Sequence, residues 1–503
     1  RAVAVATIVF VALLAGVTTA SIGLIRATIA EQNARRDERT ATKAIDTLME
    51  VFRSADPSQA KGKDVRVIDV LDANLQRISK DLVDEPEIQS RLMHTLGTLF
   101  NNMAAYNKAV PTLEQALAQR ELVDQQGSEE VANILADLGE ARRVTDDVDG
   151  ARRAHARALE MRRALLGNDA LPVANSLRDL AIVERTSGNY KLASDLVAHS
   201  ISVARALDAN RMVNEALAAS LNAQAVILSL TSDLAGAEMA HREALAIKRL
   251  LFGELHPSIA TTLNNLGAVL AKQAKLEEAE TAYRQALSIR EKVFKQDNPR
   301  ISTTLNNLAL TLLRKNELVE AESLYRRSLA IRLAEDPRST AVATALNNLA
   351  GLLRARQDES GAEAAYLEAL DLRRSIQGTG HPHYAITQMN LAEHLDNAGQ
   401  RERSCAHISE AIVVLENTLD EGHWRQAMAK SVFGACLVTR GEFAKAEPLL
   451  LEGYADISEG RGDRSDYARN AVSRIVRLYK TWQRPAEQEK YESLLASLGG
   501  PAY

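Results

Sequence analysis

The sequence is poor in the residues that break helices and in the aromatic residues that fill large sheet cores. Its 503 residues include only 11 prolines and 7 phenylalanines, while alanine, leucine, arginine and glutamate dominate. This balance favours an all-helical protein over any sheet-rich class. Because a chain of this length is too long for one compact core, we expect several domains or one elongated array.

Cysteine and net charge are also low, and both exclude classes of function. Cys405 and Cys436 are too few for a disulfide framework, and neither has the spacing of a zinc or redox motif. A net charge of -5 gives no general attraction to nucleic acid or anionic lipid. The basic run at 142–163 is interleaved with acidic residues, and the sequence shows no helix-turn-helix motif for reading DNA. Both observations favour a solvated helix face for this run. No nucleic-acid partner is therefore predicted.

Signatures of catalysis are missing as well. The sequence contains no GxGxxG, no GxxxxGK[ST], no HRD or DFG, and no HExxH or GxSxG. His381 and His383 could supply two metal ligands, but no third ligand lies at a suitable spacing. His256 and His381 each precede a proline, and a structural role is favoured for both. We predict no enzyme activity for this chain, and no catalytic residue, metal or cofactor.

One long uncharged run lies at the start of the sequence. It extends over 24 residues from Ala2 to Ile25, between Arg1 and Arg26. This length suffices to span a bilayer as a helix. A cleaved signal peptide is the alternative, but its apolar core is normally about 7 to 15 residues long. We therefore expect a transmembrane helix within residues 1–28, a membrane contact through residues 2–25 and a single-pass membrane protein.

The rest of the sequence repeats with a period of about 42 residues. Ten copies, aligned on one mostly apolar anchor position, are spaced by 41 to 44 residues and cover residues 86–498. Small residues recur one, 13 and 20 positions after the anchor, and a larger residue lies between the last two. Because small side chains let two helices approach closely, each copy is expected to be a pair of amphipathic helices. The anchors are Leu96, Leu138, Leu180, Gln224, Leu266, Leu308, Leu349, Leu391, Phe433 and Ile475.

The pattern Leu263-x2-Leu266-Gly267-x2-Leu270, followed by Ala279-x3-Tyr283 and Ala286, resembles the tetratricopeptide repeat. The period of 42, and the segment Phe252–Leu270 in particular, resemble the kinesin-light-chain type of that repeat. The resemblance implies an all-α superhelical solenoid of about ten helix pairs, preceded by the transmembrane helix. The expected domains are the membrane helix at 1–28, juxtamembrane helices and an N-terminal cap at 29–85, the solenoid at 86–498 and a tail at 499–503.

Asparagines recur at the one or two positions before the anchors, where asparagine is a mediocre helix former. In tetratricopeptide repeats these positions face the concave groove, and a primary amide both donates to and accepts from the backbone of an extended peptide. The alternative is that the amides hydrogen-bond between successive helices and hold their register, and the sequence leaves both open. The candidate groove residues are Asn222, Asn264, Asn265, Asn306, Asn307, Asn347, Asn348 and Asn390.

The segment Phe52–Gly97 is similar to the region after the membrane span in bacterial receptor-like serine/threonine protein kinases that carry such repeats. That resemblance implies a kinase domain upstream of Arg1 and repeats outside the cytoplasm, whereas the arginines that follow the apolar run favour the opposite orientation. The expected function is a membrane-anchored scaffold that binds a peptide or protein partner in its groove, as the non-catalytic part of such a kinase. The alternatives are a stand-alone membrane-tethered adaptor and, less favoured, a soluble repeat-containing regulator.

Overall fold

The computed structural model describes residues 67–207, 211–419, 423–461 and 465–499, and these residues form 21 α-helices without a strand. The chain divides into two units, with the boundary between Ser232 and Asp233. The all-α prediction is confirmed for the residues described. The predicted domain boundaries at 28, 85 and 498 stay predictions.

The first unit contains eight described helices. A helix at Val67–Asp81 precedes the first repeat and packs on it, and the helices that follow alternate as first and second helices of successive repeats. They are α1 Val67–Asp81, α2 Pro86–Asn102, α3 Tyr106–Val123, α4 Glu129–Val144, α5 Val148–Leu166, α6 Leu171–Thr186, α7 Tyr190–Ala206 and α8 Arg211–Leu230.

The second unit contains thirteen described helices, which continue the same alternation. They are α9 Leu234–Phe252, α10 Pro257–Lys272, α11 Leu276–Val293, α12 Pro299–Arg314, α13 Leu318–Glu335, α14 Thr340–Ala355, α15 Glu359–Gln377, α16 Pro382–Asn397, α17 Arg401–Thr418, α18 Trp424–Thr439, α19 Phe443–Arg461, α20 Asp466–Thr481 and α21 Pro485–Ser497.

The turn between the two helices of a repeat is built on one left-handed residue. In the turn from α10 to α11, Ala274 has a φ of 61°, and the N–H of Lys275 donates to the carbonyl of Leu270 over 3.0 Å. This is a Schellman arrangement, which satisfies a carbonyl at the end of the first helix. It reverses the chain in three residues, so the two helices pack side by side.

Small residues sit where the two helices of a repeat cross, as the sequence predicts. A Cβ added to Gly97 would lie 2.5 Å from the Leu113 side chain, and one added to Gly267 would lie 2.9 Å from the Tyr283 ring. In both repeats the contact joins the position after the anchor to the larger residue 16 positions later. Ala109 and Ala116, which flank that larger residue, are fully buried. The crossing is therefore close-packed, and the side-chain volume is restricted on both helices of the pair.

Within each unit, first helices contact the first helices of the next repeat. Such contacts join α2 to α4, α4 to α6 and α6 to α8, and then α10 to α12 and onward to α20. No described pair of second helices makes a comparable set of contacts. The first helices therefore lie closest together, and their exposed faces form the inner surface of each unit. We call this surface the groove.

The prediction of a transmembrane helix before the solenoid is corrected. Among the helices in the described part of the chain, none is both long enough and apolar enough to cross a bilayer. The apolar residues of these helices form stripes that pack on neighbouring helices, while charged residues cover the other faces. The apolar run at 2–25 lies outside the described residues. Over the described residues the fold class is a helical solenoid, and the prediction of single-pass membrane localisation is withdrawn with the helix.

Two features of the structure were not predicted. Cys405 of α17 and Cys436 of α18 form a disulfide with a Cα–Cα distance of 5.3 Å, and both lie in the core. The basic run at 142–163, expected to be a solvated face, also contains one buried member. Arg162 donates to the Ser176 hydroxyl over 2.7 Å and to the Asn133 side-chain oxygen over 2.6 Å.

Candidate functional site

The asparagines of the second unit meet across the groove in a series of side-chain hydrogen bonds. Asn307 Nδ2 donates to Asn264 Oδ1 over 3.3 Å, which joins α12 to α10. Asn348 Nδ2 donates to Asn306 Oδ1 over 2.9 Å, which joins α14 to α12. The structure thus brings together amides that lie 42 or 43 residues apart in the chain. We call the hydrogen-bonded set the amide ladder; its members are Asn264, Asn306, Asn307, Asn347, Asn348 and Asn390.

The ladder continues into the eighth repeat. Asn390 Nδ2 donates to Asn347 Oδ1 over 3.0 Å, which joins α16 to α14, and Asn347 Nδ2 donates to the neighbouring Asn348 Oδ1 over 3.4 Å. Every bond between repeats runs in the same direction, with the later repeat donating to the earlier one. The alternative that amides connect successive helices therefore describes six of the eight candidate asparagines.

The remaining two candidates lie apart from the ladder. Asn265 is partly exposed on α10, beside the ladder residue Asn264. Asn222 lies on α8 of the first unit, where its side-chain oxygen is buried without a hydrogen-bond partner. Their predicted role in ligand binding stays a prediction, as it does for the other six.

The ladder leaves part of each amide uncommitted. A primary amide carries two donor hydrogens and two acceptor lone pairs, and each ladder bond uses one of each kind. Asn348, for example, donates once and accepts once within the ladder. Except for Asn264, which is only 8% exposed, the ladder residues are partly exposed in the groove. The same asparagines can therefore hold the register between helices and also contact a ligand.

A second polar cluster occupies the inner faces of α14, α16 and α20. Glu393 accepts from Arg354 Nη1 over 2.8 Å, and its carboxylate lies 3.4 Å from Arg474 Nη2. Asp396 accepts from Arg477 Nη2 at 2.8 and 2.9 Å and lies 3.2 Å from Arg474 Nε. Glu393 and Arg474 are 2% and 3% exposed, so this is a buried ion-pair cluster. It bridges the eighth and tenth repeats across 81 residues of chain.

The electrostatics of this cluster follow from burial and pairing. Burial alone raises the pKa of Glu393, but the positive charges of Arg354 and Arg474 outweigh it and hold that pKa below its usual range. Arg474 and Arg477 do the same for the pKa of Asp396, against the opposing effect of its burial. Burial lowers the pKa of His394, so its imidazole is neutral near pH 7. Both carboxylates are therefore ionised at neutral pH.

A basic residue 24 positions after the anchor links many repeats to the next. Arg290 of α11 donates to the carbonyl of Arg300 and, over 2.5 Å, to the Thr304 hydroxyl of α12. Lys248 of α9 reaches the Thr262 hydroxyl of α10 over 2.9 Å in the same way. Sequence reasoning missed this set, although its constant spacing from the anchor was a signal that could have found it.

Histidines that precede the first helices have capping roles. His256 Nδ1 accepts from the backbone N–H of Ser258, and His381 Nδ1 accepts from that of His383. Such side-chain acceptors satisfy donors at a helix N-terminus. Within the described ranges, no group of three or more metal-ligating side chains lies close enough to hold an ion.

Comparison with known proteins agrees with this architecture. A tetratricopeptide repeat family model matches residues 130–206, 215–292, 258–334 and 300–375, just under half of the chain. The comparison with curated proteins found no match. The matches cover repeats in both units.

Solved structures are similar in fold at low sequence identity. BtubC (BKLC) from P. vanneervenii is 22% identical, covering 46% of this chain and 92% of that chain with a TM-score of 0.41. TPR-like repeats from Podosopora anserina, named for the kinesin light chain, are 17% identical, covering 41% of this chain and 98% of that chain with a TM-score of 0.35. RapI in its apo form is 11% identical, covering 73% of this chain and 97% of that chain with a TM-score of 0.55. The helix pairs and the family-model matches together identify this chain as one that contains tetratricopeptide repeats.

Proposed function

We propose that this chain is a non-catalytic scaffold that binds a peptide or protein segment in the groove of its second unit. The observation that carries the proposal is the amide ladder, because it lines up donors and acceptors across successive first helices. The tetratricopeptide repeat supplies a stacked, curved array and no catalytic machinery, so its inner surface is free for binding. A ligand would engage the amide atoms that the ladder leaves uncommitted.

An extended backbone suits this surface better than a compact ligand. First helices that pack directly are roughly 8 to 10 Å apart, so α10, α12, α14 and α16 together span roughly 25 to 30 Å. At about 3.3 Å per residue, an extended segment of eight or nine residues covers that distance. Its backbone alternates donors and acceptors, which amides match irrespective of sequence. Each such hydrogen bond contributes about 0.5 to 1.5 kcal/mol, so several are needed for measurable affinity.

The test uses the full chain and a decapeptide that it selects from a random ten-residue library. Replacing Asn264, Asn306 and Asn347 together by alanine is expected to weaken binding of that peptide by about tenfold or more, measured by fluorescence anisotropy. The matched control is Asn417→Ala, since Asn417 lies exposed on the second helix α17 and bonds only within its own helix. Circular dichroism checks that the triple variant keeps its helices. Unchanged affinity in a folded triple variant would contradict the proposal.

Association with a serine/threonine kinase is a finer proposal. Its only support is the resemblance of residues 52–97 to the region after the membrane span in bacterial receptor-like kinases. Only residues 67–97 of that segment are described, and they form α1 and part of α2. The test is the coding sequence upstream of Arg1, where kinase motifs in the same reading frame are expected. A start codon that directly precedes Arg1 would contradict it, while leaving the binding scaffold untouched.

A further inference from the structure

A cavity of about 250 Å³ lies in the first unit, on the side that the second helices form. It is bounded by the second helices α3 and α5 and by the first helix α4 between them. Its floor is apolar and consists of Leu117, Leu135, Leu138 and Ala154. The volume is below the roughly 300 to 1,000 Å³ of sites for small molecules and cofactors. The cavity is therefore of a size for one side chain rather than for a cofactor.

The cavity arises where the second repeat departs from the repeat pattern. The position four after the anchor carries a large apolar residue in eight of the ten repeats. Phe100 and Leu270, for example, are 0% and 1% exposed at this position. The second repeat has Arg142 instead, and its Nη2 donates to Glu114 Oε1 of α3 over 2.6 Å. The space that an apolar side chain fills in other repeats is therefore left open above an apolar floor.

Charged residues surround the opening of this cavity. Arg142 pairs with Glu114 at 2.6 Å, and Arg157 of α5 lies 2.6 Å from Glu121 of α3. Glu114 and Glu121 are seven residues apart on α3, so the two ion pairs are roughly 10 Å apart. Arg153 is exposed at the same opening and forms no ion pair with any residue of the described ranges. One positive charge at the rim is thus left without a partner, which complements an acidic residue on a bound molecule.

We propose that this cavity binds one aliphatic side chain of an amphipathic helix on a partner protein, whose acidic residue one helical turn away pairs with Arg153. Arg153 and Arg157 are four residues apart on α5, and a partner helix presents its own side chains at the same spacing of about 5 to 6 Å. Helices that bind in this way insert an apolar anchor and keep their charges at the rim. The inference goes beyond the proposed function, because the amide ladder belongs to the second unit.

The test begins with the full chain and a library of helical peptides of about eighteen residues, randomised on one face. Peptides are selected for binding to the full chain and against binding to Arg142→Leu, where leucine takes the place that Leu270 has in the fifth repeat. We expect the selected peptides to share an aliphatic residue with an acidic residue three or four positions away. A library that yields no peptide able to distinguish the two proteins, or peptides without this pattern, would overturn the inference.

Two further variants locate the binding of one selected, fluorescein-labelled peptide. Ala118 is exposed at the cavity, so Ala118→Trp covers the opening without burying a larger side chain. It is expected to weaken binding by about tenfold or more in fluorescence anisotropy, because the aliphatic anchor loses its site. Arg153→Gln should weaken binding about threefold and abolish the preference of the site for a peptide acid over its amide. Undiminished affinity in Ala118→Trp would overturn the assignment.

The matched control is Ala246→Trp. Ala246 is exposed on α9 and has the same position in the fourth repeat that Ala118 has in the first. It should leave the affinity for the selected helix unchanged, and equal losses in the two tryptophan variants would contradict binding at the cavity. Circular dichroism checks that both variants keep their helices.

The outcomes separate this inference from the proposed function. Ala118→Trp should leave the binding of the groove decapeptide unchanged, and the triple replacement of Asn264, Asn306 and Asn347 should leave the binding of the selected helix unchanged. If Ala118→Trp weakens the decapeptide as much as the helix, the cavity is not a separate site and the inference fails. If the decapeptide does not bind at all while the selected helix does, the proposed function fails and the inference stands.

Discussion

The bond between Asn348 and Asn306 provides the sharpest test of the amide ladder, because it is its shortest inter-repeat step at 2.9 Å. A hydrogen bond of this kind stabilises by about 1 kcal/mol net. Replacing either asparagine by alanine also improves helix propensity by about 0.5 kcal/mol, so each single variant should change stability little. The coupling energy of the double-mutant cycle removes the propensity contribution. We expect it to be about 1 kcal/mol.

The assay is native-state hydrogen exchange of the amides of α12 and α14 in the full chain, which reports the opening free energy of these helices directly. Urea unfolding followed by the fluorescence of Trp424 and Trp482 gives an independent value for the last repeats of the same unit. Local exchange is preferred because long repeat arrays do not unfold in one step.

The control cycle pairs Asn348 with Asn265, which lies two repeats earlier and makes no ladder bond with it. Sites this far apart with no shared partner are additive within about 0.3 to 0.5 kcal/mol. A coupling between Asn306 and Asn348 that is no larger than this control would refute the structural role of the ladder. The asparagines would then be explained by ligand binding alone.

Three further predictions concern stability. Reduction of the disulfide between Cys405 and Cys436, which are 31 residues apart, is expected to cost roughly 3 to 4 kcal/mol in urea unfolding by the loop-entropy relation; equal midpoints with and without reductant would contradict it. Burial lowers the pKa of His241 to about 4, so the folded state binds its proton more weakly than the unfolded state, and stability falls as pH drops below about 6.5. Between pH 7.5 and 5 this loss is about 2 kcal/mol, and His241→Leu should remove that share of the slope. Gly453→Ala is expected to destabilise by about 1 to 3 kcal/mol because its Cβ would lie 2.8 Å from a backbone carbonyl of α18, whereas Gly351→Ala, with its nearest neighbour at 3.8 Å, should stabilise by up to about 1 kcal/mol in thermal unfolding.

The helix pairs could be predicted from sequence because their causes are local. The small residue after each anchor and the larger residue 16 positions later meet within one repeat, as Gly267 and Tyr283 do. The same pattern recurs in successive repeats, so a copy that departs from it can still be recognised from its neighbours. The position of the asparagines in the groove was predicted from the resemblance to the tetratricopeptide repeat, and their hydrogen-bond partners had to come from the structure.

The buried charges could not be predicted, because their partners lie far away in the sequence. Glu393 and Arg474 are 81 residues apart and meet only because α16 and α20 approach each other across the repeat between them. In the sequence they resemble the solvent-facing charges of any amphipathic helix. The disulfide has the same origin, since Cys405 and Cys436 lie at unrelated positions of neighbouring repeats. The transmembrane prediction failed differently, since local apolar composition was its only support and no described helix shares the property.

The two explanations for the asparagines make a joint prediction about cooperativity. Because each ladder bond crosses from one repeat to the next, a peptide that engages the remaining amide atoms contacts groups whose positions are already coupled. Binding to the folded array stabilises it by RT ln(1 + [L]/Kd), and this gain applies to every helix that must be in register for binding. A saturating peptide should therefore slow hydrogen exchange in α10, α12, α14 and α16 by a similar factor. Protection confined to one helix would mean that the ligand binds a single repeat, and that the ladder does not transmit its effect.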